Sequence, residues 1–234
     1  MSLLTAERPG KRERAKARLL EAAVRIFGEK GLKGATVREI AKAAGQNVAA
    51  IAYYFGSKER LYDLIIEGIV REFHHALGDI LQRIDELERL QHPDPVRALA
   101  VLKAFLGAVY LRVLSRREAL PIARLIVREQ LGPTPAFEIL YHKAFRQLHT
   151  RLCFLVGLVL GRDPREPQTI LRTHMIMGQV YFFAMSREAI LRRLGWRTLE
   201  GKNAELVIQV LEQNIEALLL SLAEGNTNSL FNST

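Results

Sequence analysis

Eight prolines punctuate the 234 residues, and none falls between Pro9 and Pro93. Proline ends or kinks a helix that runs into it, so its spacing limits how long the helices can be. The rest fall as Pro93/Pro95, Pro121, Pro133/Pro135 and Pro164/Pro167, between segments whose apolar residues recur every three or four positions. Ile208, Leu211, Ile215, Leu218 and Leu222 are one such series, and no segment shows a convincing period-two strand pattern. Asp94-Pro95 and Thr134-Pro135 each set a capping side chain before a proline at the first helical position, where its missing N–H costs nothing. Asp163 is placed to cap in the same way, with Pro164 and Pro167 inside the tolerant first turn. The spacing predicts an all-α chain.

Before Pro93 the breaks are glycines. Leu19, Ala23, Ile26 and Phe27 stripe a first helix that stops at Gly31. Thr36-Val37-Arg38-Glu39 has the form of a capping box and opens a short second helix with Val37, Ile40, Ala41 and Ala44 inward, ending at Gly45. A third short helix, Val48 to Tyr54, stops near Gly56, and Ser57 then caps a long fourth helix. Two short helices joined at a glycine have helix-turn-helix spacing: Ala41 allows a close crossing, Gly45 takes the positive φ of the turn, and Ile51 anchors the second helix. A plain helical hairpin would need the same positions.

Charge bears on that choice. The formal net charge is +9, of which residues 1–60 carry +7 and residues 61–234 only +2. A basic head with Asn47, Tyr53, Tyr54 and Lys58 on or beside the third helix suits a duplex: a helix fits the major groove, and hydroxyls and ammonium groups reach phosphates. Arg38 is placed for a bidentate contact to guanine. The alternative for Tyr53 and Tyr54 is that one of them packs on the first helix. Cys153, the one cysteine, cannot form an intrachain bridge, which fits a reducing compartment. The longest uncharged apolar run, Leu152 to Gly161, is too short to cross a membrane, and the charged N-terminus does not read as a signal peptide. The expected location is cytoplasmic, with no membrane partner.

Thr36-Val37-Arg38-Glu39-Ile40-Ala41-Lys42-Ala43-Ala44-Gly45, followed by Tyr53-Tyr54-Phe55-Gly56-Ser57-Lys58-Glu59-Arg60-Leu61, resembles the DNA-binding domain of TetR-family transcriptional regulators. Gly45-Gln46-Asn47 through Lys58, Arg128-Glu129-Gln130-Leu131 and His174 through Trp196 resemble the CecR-like subgroup. Gln46 and Ala52 stand where the family commonly has an apolar residue and a tyrosine, so no operator sequence carries over. The resemblance implies a homodimer whose N-terminal helices bind a double-stranded DNA operator and whose C-terminal domain dimerises and takes a small-molecule effector that releases the DNA. The DNA contacts it implies are Thr36, Arg38, Asn47, Val48, Tyr53, Tyr54 and Lys58. The domain reading is 12–60 for DNA binding, with the helix-turn-helix at about 36–55, then 61–224 for effector binding and dimerisation, and 225–234 as a disordered tail.

In the C-terminal part, Leu171, Met175, Gly178, Phe182 and Met185 have heptad-like spacing and, with Ile208, Leu211, Ile215 and Leu218 of the last helix, suit the four-helix dimer interface that the resemblance implies; the same stripes would also serve as monomer core. Candidate effector contacts are Phe105, Tyr110, Arg128, Glu129, His174 and Tyr181, with solvated or packed roles as the alternative. His142 and His149 are seven apart, too far for an i,i+4 metal pair, and no cofactor or metal is expected. Asn232-Ser233-Thr234 matches a glycosylation sequon by chance. Nucleophile elbow, phosphate loop and short-spaced carboxylate pairs are all lacking, so the chain does not read as an enzyme. The leading reading is a repressor; a helical DNA-binding protein without ligand control is the alternative, and a helical enzyme the more distant one.

Overall fold

The computed structural model describes residues 10–116 and 119–231, with the backbone alone for Leu114 and 225–231. It contains α1 (Lys11–Gly34), α2 (Val37–Ala43), α3 (Ala49–Phe55), α4 (Lys58–Glu88), α5 (Pro95–Ala108), α6 (Leu120–Leu131), α7 (Phe137–Leu140), α8 (Arg146–Leu160), α9 (Pro167–Met185), α10 (Arg187–Leu194) and α11 (Lys202–Phe231). Short π-helical segments, Val109–Leu114 and Tyr141–Phe145, follow α5 and α7. Among the described residues there is no strand.

The chain divides into two compact units, one made of residues up to Val70 together with Leu120–Leu140, the other of Arg71–Ala119 together with residues from Tyr141 onward. In the first, Leu19, Ala23 and Phe27 of α1 close on Ile40 and Ala41 of α2, Ile51 of α3 and Leu61 and Ile66 of α4, all buried. Regular helix in α1 breaks at Gly31. The sequence places 120–140 with the C-terminal body, yet α6 packs on α1 inside the first unit. Gly28 shows how closely: a Cβ there would stand 2.7 Å from the Pro121 carbonyl oxygen.

The second unit is built on α5 and α8, with Phe105, Leu106, Tyr110, Leu152, Leu155 and Val156 buried. From α9 come Ile176 and Val180, and from α11 Ala204, Val207, Leu211, Ile215 and Leu219. Arg112 forks onto Asp79 at 2.7 and 3.1 Å, Arg151 pairs with Asp85 at 2.8 Å, and Lys103 with Glu216 at 2.7 Å. Asp94 caps α5 by accepting from the Val96 and Arg97 amides, with Pro95 at the first helical position. Asp163 instead accepts from the Arg165 amide in a separate turn, and α9 begins at Pro167. The α11 backbone runs past Gly225, where the sequence reading begins a tail, to Phe231. Residues 232–234, with the sequon, lie outside the described residues.

Candidate nucleic-acid interface

The helix-turn-helix is assembled from local signals. Thr36 Oγ1 accepts from the Glu39 amide at 3.2 Å while the Glu39 carboxylate accepts from the Thr36 amide at 3.0 Å, a complete capping box at the start of α2. Lys30 pairs with the same carboxylate and, together with Thr36, holds Glu39 down at about 2. The turn pivots on Gly45 at φ 62°; nothing lies within 4 Å of where a Cβ would sit, so conformation and not space demands glycine. Asn47 Oδ1 accepts from the Ala49 amide at 3.0 Å and so starts α3. Ile51 and Phe55 face inward, which turns the opposite side of α3 to solvent.

Most of the implied contacts face solvent. Thr36, Arg38, Asn47, Val48 and Tyr53 are exposed, Tyr53 by 68%. Tyr54 is half-buried, its ring 4.9 Å from that of Tyr53 in an edge-to-face arrangement. Thr36 commits its hydroxyl within the capping box, accepting from the Glu39 amide and donating to the Glu39 carboxylate at 2.9 Å, whereas Asn47 spends one acceptor on the Ala49 amide and keeps its amide donors. Lys58 differs from the phosphate-reaching side chain expected of it: half-buried, its ammonium donates to the carbonyls of Leu32 at 2.9 Å and Ala35 at 3.1 Å. Two of its three donors therefore brace the α1–α2 connection.

The candidate effector residues are divided between the two units. Arg128 and Glu129 belong to the first unit, where they hold α6 in place. Arg128 Nε donates to the Gly28 carbonyl at 3.1 Å, and its guanidinium also reaches that of Glu29. Glu129, almost fully buried, accepts from the Tyr62 hydroxyl at 2.7 Å, from the Thr134 amide at 3.1 Å and from the Thr134 hydroxyl at 3.0 Å. Burial and then the neighbouring Glu129 carboxylate push the Tyr62 hydroxyl well above its ordinary range, so it remains a donor. Phe27 meets the Tyr62 ring edge-on at 4.9 Å. In the second unit Phe105 and Tyr110 are buried, with the Tyr110 hydroxyl donating to Leu199 at 3.2 Å; Tyr181 is half-buried, and burial raises it to about 12. His174 is exposed on α9 and stacks on His149 of α8, ring centres 3.8 Å apart.

The interface candidates divide by face. Leu171, Met175, Gly178, Phe182 and Met185 of α9 are exposed, Phe182 by 62%, as is Leu218 of α11. Leu211 and Ile215 are core residues of their own chain and Ile208 is half-buried; the outward apolar positions of α11 are Leu206, Val210, Leu218 and Leu220. Of the α11 series, Leu211 and Ile215 thus serve the core, the other use that periodicity allows, while Leu218 faces outward. An open groove of about 390 Å³ lies between the two helices, lined by Gly178, Gln179, Phe182, Phe183, Val210, Leu211 and Asn214.

Residues 19–65 match the family described as bacterial regulatory proteins, tetR family, and residues 98–222 match the family described as the C-terminal domain of the HTH-type transcriptional dual regulator CecR. The chain is 37% identical to the dual regulator CecR of Shigella flexneri over 222 residues, 92% of this chain and 95% of that one. It is 34% identical over 108 residues to the transcriptional repressor NicS of Pseudomonas putida, 46% of this chain and 47% of NicS. The fold is shared with HlyIIR, a haemolysin II transcriptional regulator, at a TM-score of 0.57 and 23% identity over 86% of this chain and 99% of that one. It is shared too with AibR, solved with isovaleryl coenzyme A and operator DNA, at a TM-score of 0.59 and 16% identity over 85% and 96%. A capped helix-turn-helix in a basic N-terminal segment, joined to a C-terminal domain of matching family, leads to one conclusion: the chain belongs to the TetR family of bacterial transcriptional regulators, in its CecR-type branch, and is a DNA-binding regulator and not an enzyme.

Proposed function

We propose that this protein is a cytoplasmic repressor that binds a palindromic operator as a homodimer and releases it when a small-molecule effector occupies the second unit. The observation that carries the dimer is the exposed apolar stripe of Leu171, Met175, Phe182 and Met185 on α9 beside Leu206 and Val210 on α11. A lone soluble chain gains nothing from leaving such a stripe in water, and a second copy would cover it symmetrically, each Phe182 reaching the groove beside Gly178 of the other. Two-fold symmetry in the protein then requires two-fold symmetry in the site, with half-site spacing set by the dimer.

Release follows from the same geometry: an effector that binds better to a state with a different half-site spacing lowers affinity for DNA by its differential affinity for the two states. Phe105, Tyr110 and Tyr181 remain the effector candidates of the second unit, beside a π-helical turn of the kind often found at functional sites. Arg128 and Glu129 drop out. The AibR complex, with an acyl-coenzyme A and DNA, supports a small-molecule effector in a protein of this fold. The reading needs no cofactor.

Selection of bound duplexes from a random pool, followed by footprinting, is expected to return an inverted repeat, and sedimentation a dimer that Phe182→Glu converts to monomer. A non-palindromic site or a wild-type monomer at micromolar concentration would overturn the dimeric reading. Small-molecule fractions of a cell extract are expected to include one that erases the footprint; their failure to do so at saturating amounts would favour a regulator without ligand control.

A further inference from the structure

The tyrosines of α3 are not held by their own helix alone. The Arg12 guanidinium of α1 lies 5.4 Å from the ring centre of Tyr53 and 6.0 Å from that of Tyr54. One turn further along the same face, Lys16 Nζ stands 6.0 Å from the ring of Phe55. Two cations at i and i+4 thus sit over three consecutive aromatic residues at the C-terminal end of α3, while Ala15 and Leu19 of α1 are buried. The match is geometric as well as electrostatic, because a planar guanidinium can lie on one ring while its neighbour is set edge-to-face at 75°. Arg12 itself is exposed, so its place in the fold does not depend on burial.

We propose that Arg12 is a positioning residue of the DNA-reading surface: set over the Tyr53 ring and against its edge-to-face neighbour Tyr54, it fixes the pair before DNA arrives and leaves N–H donors for the phosphates beside the groove. A 68%-exposed tyrosine would otherwise sample several rotamers and lose that freedom on binding; fixing it in advance lowers the cost of association. Lysine cannot substitute, since a compact ammonium supplies the charge without the flat face. This inference rests on the sequence-specific function proposed above.

The test compares wild type, Arg12→Ala, Arg12→Lys and the pair Tyr53→Leu/Tyr54→Leu with and without Arg12→Ala. The probes are the duplex recovered by selection and a scrambled duplex of equal length. Arg12→Ala is expected to weaken binding of the selected duplex by about two- to five-fold more than that of the scrambled one. Arg12→Lys is expected to restore the scrambled duplex but not the selected one, and the loss on removing Arg12 is expected to shrink once both tyrosines are gone. If Arg12→Lys equals wild type on both duplexes, or the losses simply add, Arg12 is a charge and nothing more. Wild-type protein that prefers no duplex would overturn the function itself, whereas a preference untouched by both Arg12 variants overturns only this inference.

Discussion

Lys58 shows how one side chain can carry two roles of which sequence displays one. As a lysine just after the recognition helix it reads as a phosphate contact, but its ammonium is committed to the Leu32 and Ala35 carbonyls. Lys58→Ala removes two charge-assisted bonds and is expected to destabilise the DNA-free protein by about 1–3 kcal/mol. Thermal unfolding without DNA checks this; an unchanged midpoint would mean that the brace contributes nothing. His149 makes a different prediction. Its Nδ1 is buried without a hydrogen-bond partner, and burial, then the facing His174, lowers its pKa from 6.5 to about 4. Because the folded state disfavours the charged ring, the neutral ring's contribution is complete above about pH 6.5 and is lost as pH falls from there towards 4. The thermal midpoint should therefore drop across that window, and His149→Phe should flatten the drop; an equal slope in both proteins would assign it to other groups.

Among the elements, α2, α3 and the turn between them were legible because their determinants are neighbours in sequence: Thr36 with Glu39, Gly45 at the pivot, Ile51 facing inward. The placement of α6 was not. Arg128 and Glu129 find their partners at Gly28 and Tyr62, and nothing in local periodicity encodes a pairing across so long a separation. On α11 the limit has another cause, since a helix with apolar residues on several faces leaves the choice of inward stripe to tertiary packing. The Tyr62–Glu129–Thr134 network can be weighed directly. Tyr62→Phe leaves Glu129 with its Thr134 bonds and is expected to cost about 1–2 kcal/mol. Glu129→Ala strands the Tyr62 hydroxyl and the Thr134 amide together and is expected to cost roughly 2–4 kcal/mol. Chemical denaturation measures both, and the reverse order would show that the carboxylate's burial outweighs its bonds.

For the molecule as a whole, the uneven charge is the property with the widest reach. With +7 on residues 1–60 and +2 on the remainder, long-range attraction to a duplex acts most strongly on the N-terminal helices. If a dimer neutralises 6–10 phosphates, affinity should fall by roughly 10³–10⁵ between 50 and 200 mM salt. Fluorescence anisotropy over that range gives the slope, and a flat response would remove phosphate contacts from the account.

The union of Leu120–Leu140 with the N-terminal helices bears on how such regulators can be recombined. A hybrid made by joining residues 1–65 to a foreign sensing domain would carry Tyr62 without its acceptor, and Gly28 without the helix it was shaped to admit. The transferable part is discontinuous in sequence: whoever moves this DNA-reading head into another regulator must move a second, distant stretch of chain along with it.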